Sequence, residues 1–262
     1  MKLFDCFMYN NENLILELRL NSLNDYVHKF VIVESGFDHQ GNKKELKFNI
    51  NKFKKFKHKI KYLRLSSFPK NLSDWDRENY NRNYLEKGIS EAAPDDLIMI
   101  SDVDEIPSIK DLNIFKKKKF TVFRQQMIYY RFNLQNVTEP HWYGTKVCKK
   151  KYLKSPQWLR NIKVKNQDKL FNKIFNNQQI LKNGGWHFSS VKKPSEIITK
   201  MKSFAHSELV KDYMLNENYI IKKINNCEDI FERNIVIEKV ELNNDFPDYL
   251  LKNKNKYNEF II

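Results

Sequence analysis

Three acidic side chains within a stretch of four residues are the first candidates for chemistry in this sequence. An apolar run over residues 97–100 is followed by Asp102, Asp104 and Glu105. Residues i and i+2 of an extended chain point to the same side, so the carboxylates of Asp102 and Asp104 can bind one ligand together. Carboxylate oxygens are hard ligands that suit Mg²⁺ or Mn²⁺. The pattern therefore predicts a divalent-metal site at the carboxyl end of a strand, and a metal there would bind a diphosphate.

A helix cap is the alternative explanation for this acidic cluster. Pro107 and Ser108 are typical of the first residues of a helix, and Asp102 or Glu105 would then cap its backbone. Against this, clustered carboxylates repel one another unless a metal or basic side chains compensate their charge. The acidic residues alone leave both explanations open.

The segment 184–188, Gly-Gly-Trp-His-Phe, offers a further metal ligand at a distant point in the chain. Paired glycines allow a sharp turn or a close approach of the backbone to a ligand. A neutral imidazole is a good ligand for a transition metal and a poor one for Mg²⁺, so ligation by His187 would favour Mn²⁺. A lone histidine is more often structural, and its position alone does not exclude that role.

Three more charged residues are candidates for the same site. Glu34 follows the apolar run 30–33, Arg82 lies on a predicted helix, and Glu208 follows a lysine-rich helix. Arg82 could contact a phosphate or a uracil, although an i,i+4 pair with Glu78 is the interpretation that we favour without further information. Glu208 could be a general base near a metal-bound diphosphate, or equally a surface acid.

Alternating strands and helices must position these residues. Over residues 1–110, apolar runs of strand length alternate with segments of helical periodicity, which is typical of a parallel sheet covered on both faces. We therefore expect an α/β fold with a mostly parallel central sheet flanked by helices. Ligands bind such sheets at the carboxyl ends of the strands, where Glu34 and Asp102 lie. With no internal repeat and no clear linker, residues 1–262 are expected to form a single domain.

The remaining secondary-structure predictions extend over the whole chain. The segments predicted as strands are 2–9, 30–33, 60–65, 97–100, 120–132, 142–148 and 235–240, with a hairpin over 170–181. The segments predicted as helices are 12–23, a short one at 50–56, 73–88, 194–206 and 213–224.

Composition places the chain among globular proteins that attract anions. Hydrophobic residues make up 41% and aromatic residues 14%, and the formal net charge is +15. Such a charge attracts nucleic acid, acidic lipid head groups or phosphorylated substrates, although most of the lysines are expected on a solvated surface. The three cysteines are too far apart for a disulfide framework or a zinc site. The start of the chain lacks the features of a signal peptide, and no apolar run approaches the ~20 residues of a membrane span, so we expect a cytoplasmic protein.

Six short motifs follow one another along nearly the whole chain in an order that is hard to obtain by chance. They are Asn11-Glu12 with Leu18-Arg19-Leu20, Phe30-Val31-Ile32-Val33-Glu34-Ser35, Leu46-Lys47-Phe48, the segment 95–107 around Asp102, Gly185-Trp186-His187-Phe188-Ser189, and Pro247-Asp248-Tyr249-Leu250-Leu251-Lys252-Asn253. Together these motifs resemble glycosyltransferase family 17.

The resemblance implies a GT-A-type fold, a UDP-sugar donor, a divalent metal and inversion at the anomeric carbon. In the family's known activity the donor is UDP-N-acetylglucosamine. Asp102 and Asp104 match the family's Asp-x-Asp motif and His187 matches its Gly-Trp-His segment, so all three are expected to bind Mn²⁺ or Mg²⁺. Where animal members have a further acid, this chain has Ser101, so the metal site would depend on the two aspartates.

Further roles follow from this resemblance as hypotheses. Arg82 and Asp102 would bind the nucleotide sugar, and Glu34 would contact the uridine. Inversion in one step needs a base to take the proton of the acceptor hydroxyl, and Glu208 is the first candidate with Glu105 second. Residues 1–110 would bind the nucleotide sugar, and residues 111–262 would bind the acceptor.

The cellular setting and the acceptor are also expectations at this stage. Animal members of the family carry a membrane anchor and work in the Golgi, and this chain starts with neither anchor nor signal. We therefore expect a bacterial or viral enzyme that glycosylates an oligosaccharide or a glycolipid from the cytoplasmic side of the inner membrane. The basic segments 52–61 and 149–173 would contact an anionic membrane surface or a lipid diphosphate.

Two other classes of protein remain as alternatives. One is a basic nucleic-acid-binding protein, in which some of the 13 tyrosines and 19 phenylalanines would stack on bases. The other is an inactive scaffold with a transferase fold. We expect no nucleic acid as a partner because no recognition motif appears, and the intact Asp102, Asp104 and His187 argue against the scaffold.

Overall fold

Two β-sheets and six α-helices make up the part of the chain that is described, namely residues 1–38, 40–164, 177–202 and 209–262 of a computed structural model. The strands are β1 (Leu3–Met8), β2 (Lys29–Ser35), β3 (Ile60–Leu65), β4 (Leu97–Asp102), β5 (Glu105–Pro107), β6 (Phe120–Phe123), β7 (Gln125–Tyr129), β8 (Leu134–Asn136), β9 (His141–Trp142), β10 (Lys146–Lys149), β11 (Gln178–Leu181), β12 (Gly185–Ser189) and β13 (Ile237–Lys239). The helices are α1 (Asn13–Leu23), α2 (Asp74–Asn83), α3 (Pro156–Arg160), α4 (Pro194–Lys202), α5 (Glu217–Asn225) and α6 (Asp248–Lys252). Short 3₁₀ helices lie at Ile50–Phe56, Tyr84–Ile89, Leu112–Lys116, Lys150–Tyr152, Asp212–Met214 and Lys254–Phe260.

The first sheet is built from strands that are buried on both faces. Alternate residues of β2 point to opposite sides, so Phe30 packs into one hydrophobic cluster and Val31 into another. Helix α1 contributes Leu16 and Leu20 to the first cluster, and the 3₁₀ helix Tyr84–Ile89 contributes to the second. The prediction of an α/β fold with helices on both faces of a sheet is therefore confirmed.

The direction of the strands differs in part from the expectation. The first sheet has the order β11-β6-β10-β4-β1-β2-β3, and β1, β2, β3 and β4 pair in parallel. Strand β10 runs antiparallel to both of its neighbours, so the sheet is mixed. Residues 120–149 contain no helix, and a parallel entry of β10 would need a crossover connection of a dozen or more residues from its neighbour β6. The chain instead passes through the second sheet and returns in the opposite direction.

The second sheet begins where β4 ends. Strand β5 follows β4 after the two-residue turn 103–104, and the second sheet has the order β13-β8-β7-β12-β5, with β9 also paired to β7. Strand β12 pairs antiparallel with β5 and places His187 opposite Glu105. Because the acidic cluster leads into a strand, the alternative that it caps a following helix is wrong.

Helix α2 has the start that the sequence predicts. The Ser73 hydroxyl accepts a hydrogen bond from the backbone of Asp76 at 3.2 Å, and the Asp76 carboxylate accepts one from the backbone of Ser73 at 3.3 Å. This capping box fixes the first turn of the helix that carries Arg82.

Most other predicted elements agree with the structure, and one lies largely outside it. The predicted hairpin over 170–181 falls mainly on residues that are not described, and its last part forms β11, which pairs in parallel with β6. In the described ranges, no helix combines the length and apolar character that a membrane span requires.

Candidate functional site

A cavity of about 710 Å³ lies at the carboxyl ends of β1, β2 and β4. Neighbouring strands in the order β4-β1-β2 bring these ends side by side along one edge of the sheet. Residues that line the cavity include Tyr9, Glu12, Ser35, Phe37, Asp38, Trp75, Asn81, Arg82, Asp102, Asp104, Trp142, Arg160, Asn161, His187, Ser189 and Lys200. The cavity thus collects four of the residues that the sequence singled out: Arg82, Asp102, Asp104 and His187.

Arg19 holds the backbone of the acidic turn in place. Its side chain is fully buried and forms an ion pair with Asp5 at 2.5 Å. The same guanidinium donates hydrogen bonds to the carbonyl oxygens of Asp102, Val103 and Glu105, at 3.0, 3.2 and 2.7 Å. Helix α1 and strand β1 therefore fix the turn from within the core, so the two aspartates are presented by a rigid backbone.

Asp102 is neutralised by two arginines. One carboxylate oxygen accepts a hydrogen bond from Arg82 at 3.1 Å, and the other accepts one from Arg160 at 2.6 Å. Burial alone would raise the pKa of Asp102, but the charges of Arg160 and Arg82 outweigh it and lower the pKa well below its usual value. Of the two kinds of charge compensation that the sequence left open, a metal or basic side chains, the structure shows the second at Asp102.

Glu105 is a structural anchor of this network. It is fully buried, and its carboxylate accepts hydrogen bonds from the indole nitrogen of Trp142 at 2.6 Å and from both terminal nitrogens of Arg160 at 2.6 and 2.7 Å. Thr145 donates a further hydrogen bond to it at 3.2 Å. A Cβ on Gly144 would lie within 2.0 Å of the Glu105 carboxylate, so only glycine allows this packing. With its oxygens engaged in this way, Glu105 is poorly placed to act as the catalytic base.

Asp104 and His187 form a second pair that faces the cavity. The Nε2 atom of His187 lies 3.5 Å from a carboxylate oxygen of Asp104, and the amine of Lys200 lies 3.9 Å from the other oxygen. Burial lowers the pKa of His187, but the charge of Asp104 and its hydrogen bond outweigh this and raise the pKa above its usual value. Burial likewise raises the pKa of Asp104, yet the charge and hydrogen bond of His187 make the net shift downward.

The donor chemistry of this pair fits a divalent metal. Asp104 offers a carboxylate oxygen and His187 an imidazole nitrogen, two ligand types that would hold Mn²⁺, and these atoms lie 3.5 Å apart. The Nδ1 atom of His187 is buried and has no hydrogen-bond partner among the described residues. Over the same residues, no group of three or more His, Cys, Asp or Glu side chains is already assembled as a metal site. Asp104 and His187 are therefore two ligands of the right type, with Asp102 held nearby by arginines.

Arg82 forms the i,i+4 pair with Glu78 that the sequence favoured, and its contact with a phosphate or a uracil stays a prediction. It donates hydrogen bonds to Glu78 at 2.8 Å, the i,i+4 pair, and to Asp102 on β4. Its Nε atom and the Oδ1 atom of Asn81 are buried without a hydrogen-bond partner in the described part of the chain. Both side chains line the cavity, and an unpartnered buried polar atom is uncommon in a folded protein, which marks both residues as candidates for contact with a ligand.

Glu34 and Glu105 are not among the residues that line the cavity, and Glu208 is not described. Glu34 is fully buried, and its carboxylate accepts hydrogen bonds from the backbones of Lys47 and Phe48 and from the hydroxyl of Tyr62. Its oxygens therefore hold the loop after β2, and it is not among the residues that line the cavity. Glu208 lies outside the described residues, so its candidacy as the base stays a prediction.

Sequence reasoning missed Arg160 and Trp142. Arg160 ends the short helix α3, and Trp142 belongs to the two-residue strand β9. Arg160 lies 58 positions from Asp102 and 55 from Glu105, and no local pattern connects residues so far apart. The one available signal was the acidic cluster itself, because three carboxylates in one turn require basic partners as well as any metal.

Comparisons with known proteins find a family and several relatives with similar sequences. The model of glycosyltransferase family 17 matches residues 1–261. The β-1,4-mannosyl-glycoprotein 4-β-N-acetylglucosaminyltransferase of Homo sapiens is 35% identical over 109 residues, which are 38% of this chain and 20% of the human protein. The same enzyme of Rattus norvegicus is 35% identical and that of Mus musculus 34% identical over the same shares. The match thus spans about a fifth of the length of these relatives.

A solved structure is similar only at a remote level. The 2-C-methyl-D-erythritol 4-phosphate cytidylyltransferase of Francisella tularensis has a TM-score of 0.31 and 12% identity, covering 58% of this chain and 74% of that chain. A TM-score this low does not support a shared fold or a shared function.

Proposed function

The chain belongs to glycosyltransferase family 17, and from this premise we propose that it transfers N-acetylglucosamine from a UDP-sugar donor to an oligosaccharide or glycolipid acceptor. The observation that carries the proposal is the cavity in which Asp102, Asp104 and His187 meet Arg82 and Arg160. Such a mixture of carboxylates, imidazole and guanidinium groups suits a substrate whose diphosphate needs several positive charges around it.

The nucleotide part of the donor would lie over the ends of β1 and β2. Tyr9, Ser35 and Asp38 line this end of the cavity, and Asn81, whose Oδ1 atom has no hydrogen-bond partner among the described residues, lines the cavity as well. Ligands in open α/β sheets bind outside the carboxyl ends of the strands, which supports this placement. Glu34, whose oxygens hold the loop after β2, has no part in the proposal.

The diphosphate would lie between Arg82, Arg160 and Lys200. The two guanidinium groups present fixed forks of N–H donors, and Lys200 adds a point charge on the other side of Asp104. A Mn²⁺ or Mg²⁺ ion held by Asp104 and His187, with Asp102, would supply further neutralisation of the leaving diphosphate when bound. Mn²⁺ is the better match because one of the ligands is an imidazole.

An inverting transfer would also need a catalytic base. A single displacement at the anomeric carbon requires a group that accepts the proton of the acceptor hydroxyl. Glu208 keeps that role as a candidate, while Glu105 loses it because its carboxylate is buried and engaged with Arg160, Trp142 and Thr145.

Contact with an anionic membrane is a further part of the proposal. Lys52, Lys54, Lys55 and Lys57 are exposed on and just after the 3₁₀ helix Ile50–Phe56. Clustered lysines of this kind are attracted to acidic lipids, which would bring the enzyme to a lipid-linked acceptor.

The burial of the aromatic residues weakens the alternative of a nucleic-acid-binding protein. Many phenylalanines, among them Phe4, Phe7, Phe30 and Phe123, are fully buried and cannot stack on bases.

Substitution of Asp104 tests the proposed activity. We expect Asp104→Asn to lower the rate of transfer from UDP-N-acetylglucosamine by ~100-fold or more, because it removes one ligand and the partner of His187. Asp95→Asn is the matched control, since Asp95 is an exposed acid that pairs with Lys149 and Lys151 at the amino end of β4. Transfer rates measured with radiolabelled donor, alongside circular dichroism, check the prediction. Full activity of a folded Asp104→Asn protein would refute the assignment.

A further inference from the structure

The acidic turn divides the cavity into two ends. The sheet order β10-β4-β1-β2 places the ends of β1 and β2 on one side of Asp102 and the start of β10 on the other. The first side is the proposed nucleotide end, reached also by Trp75 and Asn81 of α2. The second side is bordered by Trp142 just before β10 and by His187 of β12.

Trp142 is held in one orientation at this second end. Its indole nitrogen donates a hydrogen bond to Glu105 at 2.6 Å, and Glu105 is itself fully buried and bound to Arg160. The indole ring lies 5.0 Å from the ring of His187, tilted by 39°, and 5.9 Å from the guanidinium carbon of Arg160. One edge of the indole is thus fixed by a buried anion, so the orientation of its faces is fixed too.

Despite this anchoring, 37% of Trp142 is exposed. Trp186, the neighbour of His187 in the sequence, is only 8% exposed and packs in the main hydrophobic cluster. A tryptophan that serves packing alone is mostly covered, because its large apolar surface is costly to leave in water. The exposed part of Trp142 instead borders a cavity beside the proposed site of sugar transfer.

We propose that Trp142 is the platform on which the acceptor sugar stacks, an inference that rests on the proposed function. One face of a pyranose ring presents C–H groups, which carry partial positive charge and suit the negative face of an indole. Asn161, Ser189 and Lys200 line the same cavity and offer polar groups for the hydroxyls of the sugar. The ligand is therefore a neutral pyranose at the end of a glycan.

The position of Trp142 also connects this platform to the chemistry. A sugar on the indole would lie next to His187 and Asp104, and thus next to the anomeric carbon of a donor whose diphosphate is bound by Arg82 and Arg160. Orientation of the acceptor relative to the donor is a major part of the rate enhancement in a reaction of two substrates. Trp142 would then affect acceptor affinity more strongly than donor affinity.

The test compares Trp142→Ala and Trp142→Phe with the control Trp75→Ala. Trp75 is a tryptophan at the nucleotide end of the same cavity, 49% exposed. Initial rates would be measured with UDP-N-acetylglucosamine, Mn²⁺ and the p-nitrophenyl β-glycosides of mannose, glucose, galactose and N-acetylglucosamine. Donor binding would be measured separately as the rise in melting temperature on addition of UDP-N-acetylglucosamine and Mn²⁺.

We expect Trp142→Ala to raise the KM for the acceptor roughly tenfold, and to raise the KM for the donor by a smaller factor, because the variant also removes a hydrogen bond from Glu105, the partner of Arg160. Trp142→Phe keeps a smaller aromatic face and loses the hydrogen bond to Glu105, so it should recover part of the acceptor affinity that Trp142→Ala loses. Trp75→Ala should leave the KM for the acceptor unchanged.

Three results would overturn the platform. They are an unchanged acceptor KM in Trp142→Ala, an equal loss in Trp142→Phe and Trp142→Ala, or no transfer to any glycoside by a wild-type protein that binds the donor. A wild-type protein with no donor-induced thermal shift would instead refute the proposed function, and the platform with it.

Discussion

At the scale of single residues, arginines dominate the electrostatics of the site. Arg82 and Arg160 each bind one oxygen of Asp102, and Arg19 binds the backbone of the same turn from the core. A buried carboxylate is tolerated only when such partners compensate its charge and satisfy its hydrogen bonds. The carboxylate of Asp102 and the backbone of the turn are therefore held in place by the protein itself.

Lys146 is a buried amine next to this group of positive charges, and its pKa is lowered. It is buried, and its amine donates a hydrogen bond to the backbone carbonyl of Arg160. Burial, and secondly the charge of Arg160, lower its pKa from 10.5 to about 8. Between these two values the unfolded chain binds more protons than the folded one, so the folded state gains stability as the pH rises.

Removal of the Lys146 amine should therefore change the pH dependence of stability. Relative to Lys146→Met, the free energy of unfolding of the wild-type protein should rise by about 1–2 kcal/mol between pH 7 and pH 9.5. Urea denaturation of both proteins at the two pH values measures this, and other titrating groups cancel in the comparison. A stability difference that stays constant with pH would mean that the amine titrates normally.

Some of these residues could be found in the sequence and others could not. Asp102, Asp104 and His187 were found because their residue types and motifs are informative and their strand ends meet at one edge of the sheets. The position of Glu34 at a strand end was also found, but its contacts with the loop after β2 depend on tertiary packing. Arg160 reaches the site as a long side chain from another part of the fold, and no sequence periodicity marks such a contact.

At the scale of elements, the site depends on the passage of the chain from one sheet to the other. The turn between β4 and β5 carries Asp104, and the pairing of β5 with β12 brings His187 to it. Buried apolar runs and helix caps predicted β1 to β4, α1 and α2, because these elements have local signals. The two-residue β9 and the antiparallel β10 have weak signals, since their pairing partners lie far away in the sequence.

Gly185 is the residue that allows β12 to pair with β5. Its φ is +110°, and a Cβ there would lie 2.2 Å from the carbonyl oxygen of Ile106. We expect Gly185→Ala to destabilise the fold by about 1–3 kcal/mol and to displace His187, because both the conformation and the close approach exclude a side chain.

Chemical denaturation and the Mn²⁺ concentration needed for half-maximal activity would measure these two effects. Gly36→Ala is the matched control, since a Cβ at Gly36 meets its nearest atom at 3.6 Å, an ordinary contact. Equal stability and equal metal dependence of the Gly185→Ala and Gly36→Ala proteins would refute the role given to Gly185.

At the scale of the whole molecule, the basic residues behind the net charge of +15 are divided between the site and the surface. Among the basic side chains in ion pairs at the site, Arg19 and Arg82 are buried and Arg160 is mostly buried. The lysines at positions 52, 54, 55 and 57 are exposed instead. Composition predicted attraction to anions, but only the fold separates the charges that build the site from those that remain on the surface.

The exposed lysine cluster should bind acidic lipid. Changing all four lysines to glutamine should weaken binding to vesicles that contain phosphatidylglycerol, by up to about 1 kcal/mol per lysine at low salt. Sedimentation with vesicles at two salt concentrations measures this. A variant with glutamine at the exposed Lys110, Lys116, Lys222 and Lys252 is the control, and equal loss in both variants would show that total charge, and not this cluster, determines binding.

The most direct measurement of the central claim is a thermal-shift screen of nucleotide sugars with and without Mn²⁺, on the wild-type and Asp104→Asn proteins. At ligand concentrations near 100 times Kd, we expect UDP-N-acetylglucosamine with Mn²⁺ to raise the wild-type melting temperature by about 5 °C or more. Either component alone, or both with Asp104→Asn, should give a much smaller rise. The absence of any rise in the wild-type protein, or an equal rise without Mn²⁺, would contradict a metal-dependent UDP-sugar site at Asp104 and His187.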